Sequence, residues 1–255
     1  MTSVFHVVTA LAIVAVPAVG WFRGDWSGGT ILLIYWFETL AGSVLILARI
    51  AAHRRLTPRY GHFRYQGPNS GRAPRRNSFA SGFALISFAF TAAHGVFLAA
   101  ILLLLNHNGN GDLAGVDWRA VLTGCLIVVT LLVLDFLFDL VNLKQWSFWQ
   151  LEQTANTGLG RVIVVHMTLI FGFIGIAVTS APAALFGTFV VLKTMAALST
   201  VLPQYQPKVA PKWLSRLMNR VPNVHPGETF EEYWAKDQAD EAARRKRNEE
   251  PWTAA

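Results

Sequence analysis

Six long apolar stretches alternate with polar segments along this chain, at residues 4–21, 29–50, 79–105, 119–141, 161–180 and 184–202. Each comes close to or exceeds the about 20 mostly apolar residues that cross roughly 30 Å of hydrocarbon as a helix. The pattern predicts an all-α fold. Residues 1–202 form a six-helix transmembrane bundle, and residues 203–255 form a polar tail with one or two short amphipathic helices. The first stretch resembles a signal peptide, but Met1 to Ser3 carry no Lys or Arg and Ala15-Val16-Pro17 is a poor cleavage site. A retained first span is expected.

The polar segments set an orientation. Residues 51–78 hold seven arginines (54, 55, 59, 64, 72, 75 and 76) and no Asp or Glu. The next connection, 106–117, holds Asp112 and Asp117 and no Lys or Arg. Positively charged connections stay in the cytoplasm, so the arginine segment is assigned inside and the acidic one outside. Lys144 and Arg161 then fall on an inner connection. An even number of spans puts both termini in the cytoplasm, and the expected location is the inner (plasma) membrane. The arginine segment has few stacking aromatics beyond Tyr60, Phe63 and Tyr65, so it reads as a topology determinant and not as a nucleic-acid surface.

In the tail, Pro203, Pro207 and Pro211 precede Lys212 to Arg220. There Trp213, Leu214, Leu217 and Met218 gather on one helical side, and Lys212, Arg216 and Arg220 on another. Such a helix suits the inner membrane surface. Residues 228–250 predict a second helix, acidic first and basic later, which complements the helix dipole. The tail has nine Lys/Arg and eight Asp/Glu, so it is not a polybasic effector. A protein partner could dock on it, but a solvated surface helix fits the charge pattern better.

Composition adds little to this. The chain is 53% hydrophobic and 15% charged, against about 25% charged in soluble domains. Cys125 stands alone inside an apolar run. It reads as helix packing.

The candidate chemistry lies in ionisable residues within the apolar stretches: Glu38, His94, Asp135, Asp139, His166 and Lys193. A charge there costs about 2.5–3.5 kcal/mol on insertion scales and normally faces a bundle interior. Glu38, His94 and Lys193 fall near span centres, and Glu38 with Lys193 suggests a buried ion pair. Asp135 and Asp139 are four residues apart and share one helix face, where they repel unless a cation or proton intervenes. Either a divalent cation sits with Asp135, Asp139 and His166, or Arg161 or Lys144 neutralises the pair. His6, close to the chain start, is given little weight. Glu38, His94 and His166 could together hold a divalent transition metal, although no known metal-site spacing is present.

Four short segments resemble a bacterial multi-pass membrane family known only as a domain of unknown function. They are Tyr35-Trp36-Phe37-Glu38, Phe90 to Phe97 with His94-Gly95, Arg161 to His166, and Val191 to Thr194 with Lys193. The resemblance implies a membrane location and a recurring set of Glu38, His94, His166 and Lys193, without an established reaction. This chain has Ile86 and Ala197 where the family pattern has a further histidine and an acid.

Three function classes follow. The first is a membrane protein whose Glu/His/Lys cluster binds an ion, metal or small ligand. The second is an accessory or scaffold subunit of a membrane complex, and the third an intramembrane metalloenzyme. No nucleotide-binding loop, Ser-His-Asp arrangement or thiol redox pair is recognisable, and no internal repeat of the secondary-transporter kind is seen.

Overall fold

A computed structural model describes residues 4–68, 78–107, 109, 111–160, 163, 195, 207–221 and 227–253. Apart from an isolated bridge between Arg59 and Pro251, the regular structure of the described residues is helical. The long helices are α1 (Val4–Arg23), α2 (Gly28–Leu56), α4 (Phe79–His107) and α6 (Trp118–Asn142). Short helices α3 (Tyr60–Phe63) and α5 (Gly111–Ala114) lie in the connections. A tight 3-10 turn, Leu143–Gln145, follows α6. Residues 148–160 form α7, and the tail supplies α8 (Lys212–Met218) and α9 (Phe230–Glu249).

Four described helices are thus long and apolar enough to cross a membrane, with mean hydropathies of 2.0, 2.0, 2.3 and 2.6 in their best windows. They coincide with the first four apolar stretches. Stretches 161–180 and 184–202 lie outside the described residues except for Ile163 and Met195.

Helix α2 is central, packing along α6 on one side and α4 on the other, with α1 laid across α6. Ile31, Leu32 and Tyr35 meet Leu98 near one end. Ile50 joins Phe79, Phe83, Phe148, Leu151 and Ala155 near the other. Ile13, Ile34 and Val128 tie α1, α2 and α6 together. Helix starts are fixed by side chains, because the first N–H groups of a helix have no partner within it. Ser27 Oγ accepts from Thr30 N at 3.2 Å, and Asp117 Oδ1 accepts from Arg119 N at 2.9 Å and Ala120 N at 3.2 Å.

The helices bury several polar residues among their apolar contacts and expose many large apolar ones. On α4, Ser87, Thr91 and His94 are buried in one stripe with Phe83, Leu98 and Ile101, while Leu85, Val96, Leu103 and Leu104 are exposed on the other faces. On α6, Leu122, Leu126 and Val141 are exposed, whereas Asp139 is buried. A soluble protein would bury the leucines and expose the aspartate.

Candidate functional site

Asp135 and Asp139 lie one turn apart on α6, and two cations from other helices close a ring around them. Arg49 sits seven residues before the end of α2, about 10 Å along the helix. It uses its fork, Nη2 donating to Asp135 Oδ2 at 2.8 Å and Nε to Asp139 Oδ2 at 2.8 Å. His6 at the start of α1 takes the remaining oxygens, with Nδ1 2.7 Å from Asp135 Oδ1 and Nε2 3.2 Å from Asp139 Oδ1. An imidazole can donate from both nitrogens only when both carry protons. In that form the ring balances two positive against two negative charges. Phe5 stacks on Phe138 at 4.6 Å, and Phe138 stands edge-on to His6 at 5.4 Å.

The ring answers the question raised by the paired aspartates. Ligand atoms of His6, Asp135 and Asp139 lie close enough together to hold a metal ion. Yet both carboxylates already bond to Arg49, whose fixed charge would repel a divalent ion at the same place. Among the described residues, Arg49 supplies a counter-charge of the kind that the sequence sought in Arg161, Lys144 or a bound cation. Lys144 is exposed in the turn after α6. His6, given little weight in the sequence, is a full member. One signal could have found both: His6 lies near the start of its span, while Arg49, Asp135 and Asp139 lie near the ends of theirs. Successive helices run antiparallel, so all four reach one level.

Glu38 and His94 occupy the facing helices α2 and α4. Trp36 Nε1 donates to Thr91 O at 2.9 Å, which pins α2 to α4 close to both residues in sequence. His94 is buried and Glu38 half-buried. Gly95 makes this approach possible, since a Cβ there would lie 2.9 Å from Trp36 Nε1. His166, Lys193 and Arg161 lie outside the described residues.

A second polar assembly closes the end of the bundle that carries α3. His53 Nε2 lies 3.0 Å from Trp146 O, and a carbonyl can only accept, so Nε2 carries the proton. His53 Nδ1 is then an acceptor for His62 Nε2–H at 2.9 Å. Burial, with His53, Arg54 and Arg59 nearby, pushes His62 down to about 3, so it is neutral.

The tail packs onto this assembly. Arg244 of α9 donates from Nη1 to Glu152 Oε1 at 2.8 Å and to Gln66 O at 2.8 Å, and from Nη2 to Glu152 Oε2 at 3.2 Å. Asn248 donates to Gln66 O at 2.9 Å and accepts from Gln66 N at 3.2 Å. Glu249 accepts from Phe148 N at 2.6 Å, capping α7. Trp252 stacks on Phe63 at 4.5 Å. Tyr65 donates to Glu152, and burial with that carboxylate's charge raises its phenol well above the usual range. Glu152 is 1% exposed and Arg244 8%. The helix the sequence reads as solvated is therefore anchored by one buried face.

A family model described as "Family of unknown function (DUF6498)" matches residues 1–212. The chain belongs to that family. The match spans the ionic ring, the α2–α4 seam and the histidine pair, and it ends before α9. No curated protein and no solved structure matches the chain significantly. For this family member, the geometry offers two kinds of chemistry. With His6 doubly protonated, the ring is a charge-balanced lock between three helices. The seam carries a half-buried carboxylate, Glu38, on α2 and a buried imidazole, His94, on the neighbouring α4.

Proposed function

We propose that this chain is a multi-pass integral protein of the inner (plasma) membrane. In this reading it has six spans, the arginine segment and both termini are cytoplasmic, and Glu38, His94, His166 and Lys193 contribute to an intramembrane site for an ion or small ligand. The lipid bilayer is its solvent, and the reading has no role for nucleic acid. One observation carries the proposal: the long helices turn leucine and valine outward and Ser87, Thr91, His94 and Asp139 inward. Outward apolar faces are stable in hydrocarbon, and an inward polar stripe is stable there only when bundle partners or a bound species satisfy it.

Two experiments test this. Membranes containing the protein are washed with alkaline carbonate, and cysteines placed singly at Ser70 and Asp112 are probed with an impermeant thiol reagent on intact cells and on inverted vesicles. The protein should stay in the pellet, with Asp112→Cys labelled from outside and Ser70→Cys only in inverted vesicles. Labelling of both from the same side would overturn the topology. For the site, elemental analysis of purified protein is compared with Glu38→Gln and His94→Ala. Bound metal lost in both variants would identify the ligand as a metal. Metal retained in both would remove these residues from the site.

A further inference from the structure

Residues 207–221 carry a surface that neither the ring nor the seam uses. Trp213 and Leu217 of α8 are 67% and 55% exposed, and Val209 and Val221 are 76% and 46% exposed. Trp213 and Leu217 lie four residues apart and share one face of α8, with Val209 before the helix and Val221 after it. Lys208, Lys212, Arg216 and Arg220 are exposed beside it, and residues 207–221 contain no Asp or Glu.

The other side of this segment is held by protein. Ser215 is buried. Asn219 donates to Glu231 Oε2 at 3.0 Å and accepts from Phe230 N at 2.8 Å, which joins α8 to the start of α9. Arg244 and Asn248 then fasten α9 to Glu152 and Gln66 at the α3 end of the bundle. The stripe is thus presented from a braced support at the bundle end.

A Trp/Leu stripe with a basic border fits the boundary between headgroups and acyl chains. There the apolar side chains sink, while long cationic stems keep their charges at the phosphates. We infer that residues 208–221 dock on the anionic headgroup surface of the same bilayer that holds the bundle. Trp213 and Leu217 are inserted, and Lys208, Lys212, Arg216 and Arg220 face lipid phosphates. This rests on the membrane reading above. Charge selects the occupant: an anionic leaflet attracts four clustered cations, whereas the same face on a second copy would repel them.

The test uses the full chain in nanodiscs. Leu217→Cys in a Cys125→Ser background is labelled with an environment-sensitive dye, with Trp213→Cys as an independent second position. Lipids carrying a spin label just below the headgroup should quench both dyes. Adding phosphatidylglycerol to a neutral bilayer should increase that quenching about twofold. Combining Lys212→Glu, Arg216→Glu and Arg220→Glu should return it to the neutral-lipid level. Dyes untouched by spin-labelled lipid but open to aqueous iodide would overturn the proposal. So would quenching indifferent to anionic lipid, or Leu217→Cys cross-linking between two copies. A carbonate wash of the same protein separates the two failures. Protein that stays in the pellet with a water-exposed dye overturns the docking alone, and protein released by the wash overturns the membrane reading itself.

Discussion

Two ionic assemblies stand out among the described residues, one partly buried and one buried, and they differ in what they join. The ring of His6, Arg49, Asp135 and Asp139 ties three long helices to one another, with each carboxylate shared between two cations. The clamp of Arg244 on Glu152 ties a tail helix to the end of the bundle, and it is reinforced by neutral bonds to Gln66 and by the Trp252–Phe63 stack. Removing one member of the ring leaves charge stranded between helices that have nowhere else to go. Removing one member of the clamp lets a single helix lift away and its partners meet water. Burial alone therefore does not set the cost of a broken ion pair. The freedom of the stranded group to relax matters as much.

The largest effect should come from Arg49→Met, which strands two carboxylates and should cost about 3–5 kcal/mol. Thermal unfolding in detergent should show early loss of the whole bundle, and adding Asp135→Asn and Asp139→Asn should restore much of it. A single variant as stable as the parent would remove the ring as a structural lock. Arg244→Met should cost about 3 kcal/mol locally. Limited proteolysis should then cut within 222–253 while the unfolding temperature of the bundle changes little. If the bundle melts early too, the contrast between the two assemblies collapses.

Acid should act on the clamp end through His62. Its folded-state value, about 3, lies below the ordinary 6.5, so the unfolded chain binds the proton more readily. The stability it contributes is complete above pH 6.5 and is lost as pH falls towards 3, amounting to about 2 kcal/mol by pH 5. His62→Gln should flatten the pH dependence of tail protection between those limits, and an unchanged slope would assign the acid sensitivity elsewhere. The smallest change tests the α2–α4 seam. Gly95→Ala should push Trp36 off Thr91 and cost about 1 kcal/mol, read as a lower unfolding temperature with the tail still protected.

The helices were legible because hydrophobic runs of this length have one stable outcome. Val4–Arg23, Gly28–Leu56, Phe79–His107 and Trp118–Asn142 follow the apolar stretches to within a few residues, except where α2 continues through Ala51 to Leu56. The pairing of Asp135 with Asp139 was legible too, from a spacing of four. Their partners were less so. Arg49 sits at the edge of an apolar stretch, where it looks like the first residue of the basic segment, and His6 looks like part of a frayed start. Only the folding together of α1, α2 and α6 puts them on one level. Arg244 was hidden for a different reason. It stands in the run Arg244-Arg245-Lys246-Arg247, which has the composition of a solvated helix. Which of those cations is buried depends on Glu152, 92 residues away in the chain.

That separation also sets a schedule. At about 5–20 residues per second, the ribosome delivers Arg244 roughly 5 to 20 s after Glu152. Through that interval the carboxylate, the Gln66 carbonyl and the Phe148 amide wait without the groups that will cover them. Helix α9 is therefore made after every group it fastens, and this end of the bundle gains those bonds last in synthesis. A chain ending before α9 would lack the Arg244, Asn248 and Glu249 bonds to Glu152, Gln66 and Phe148.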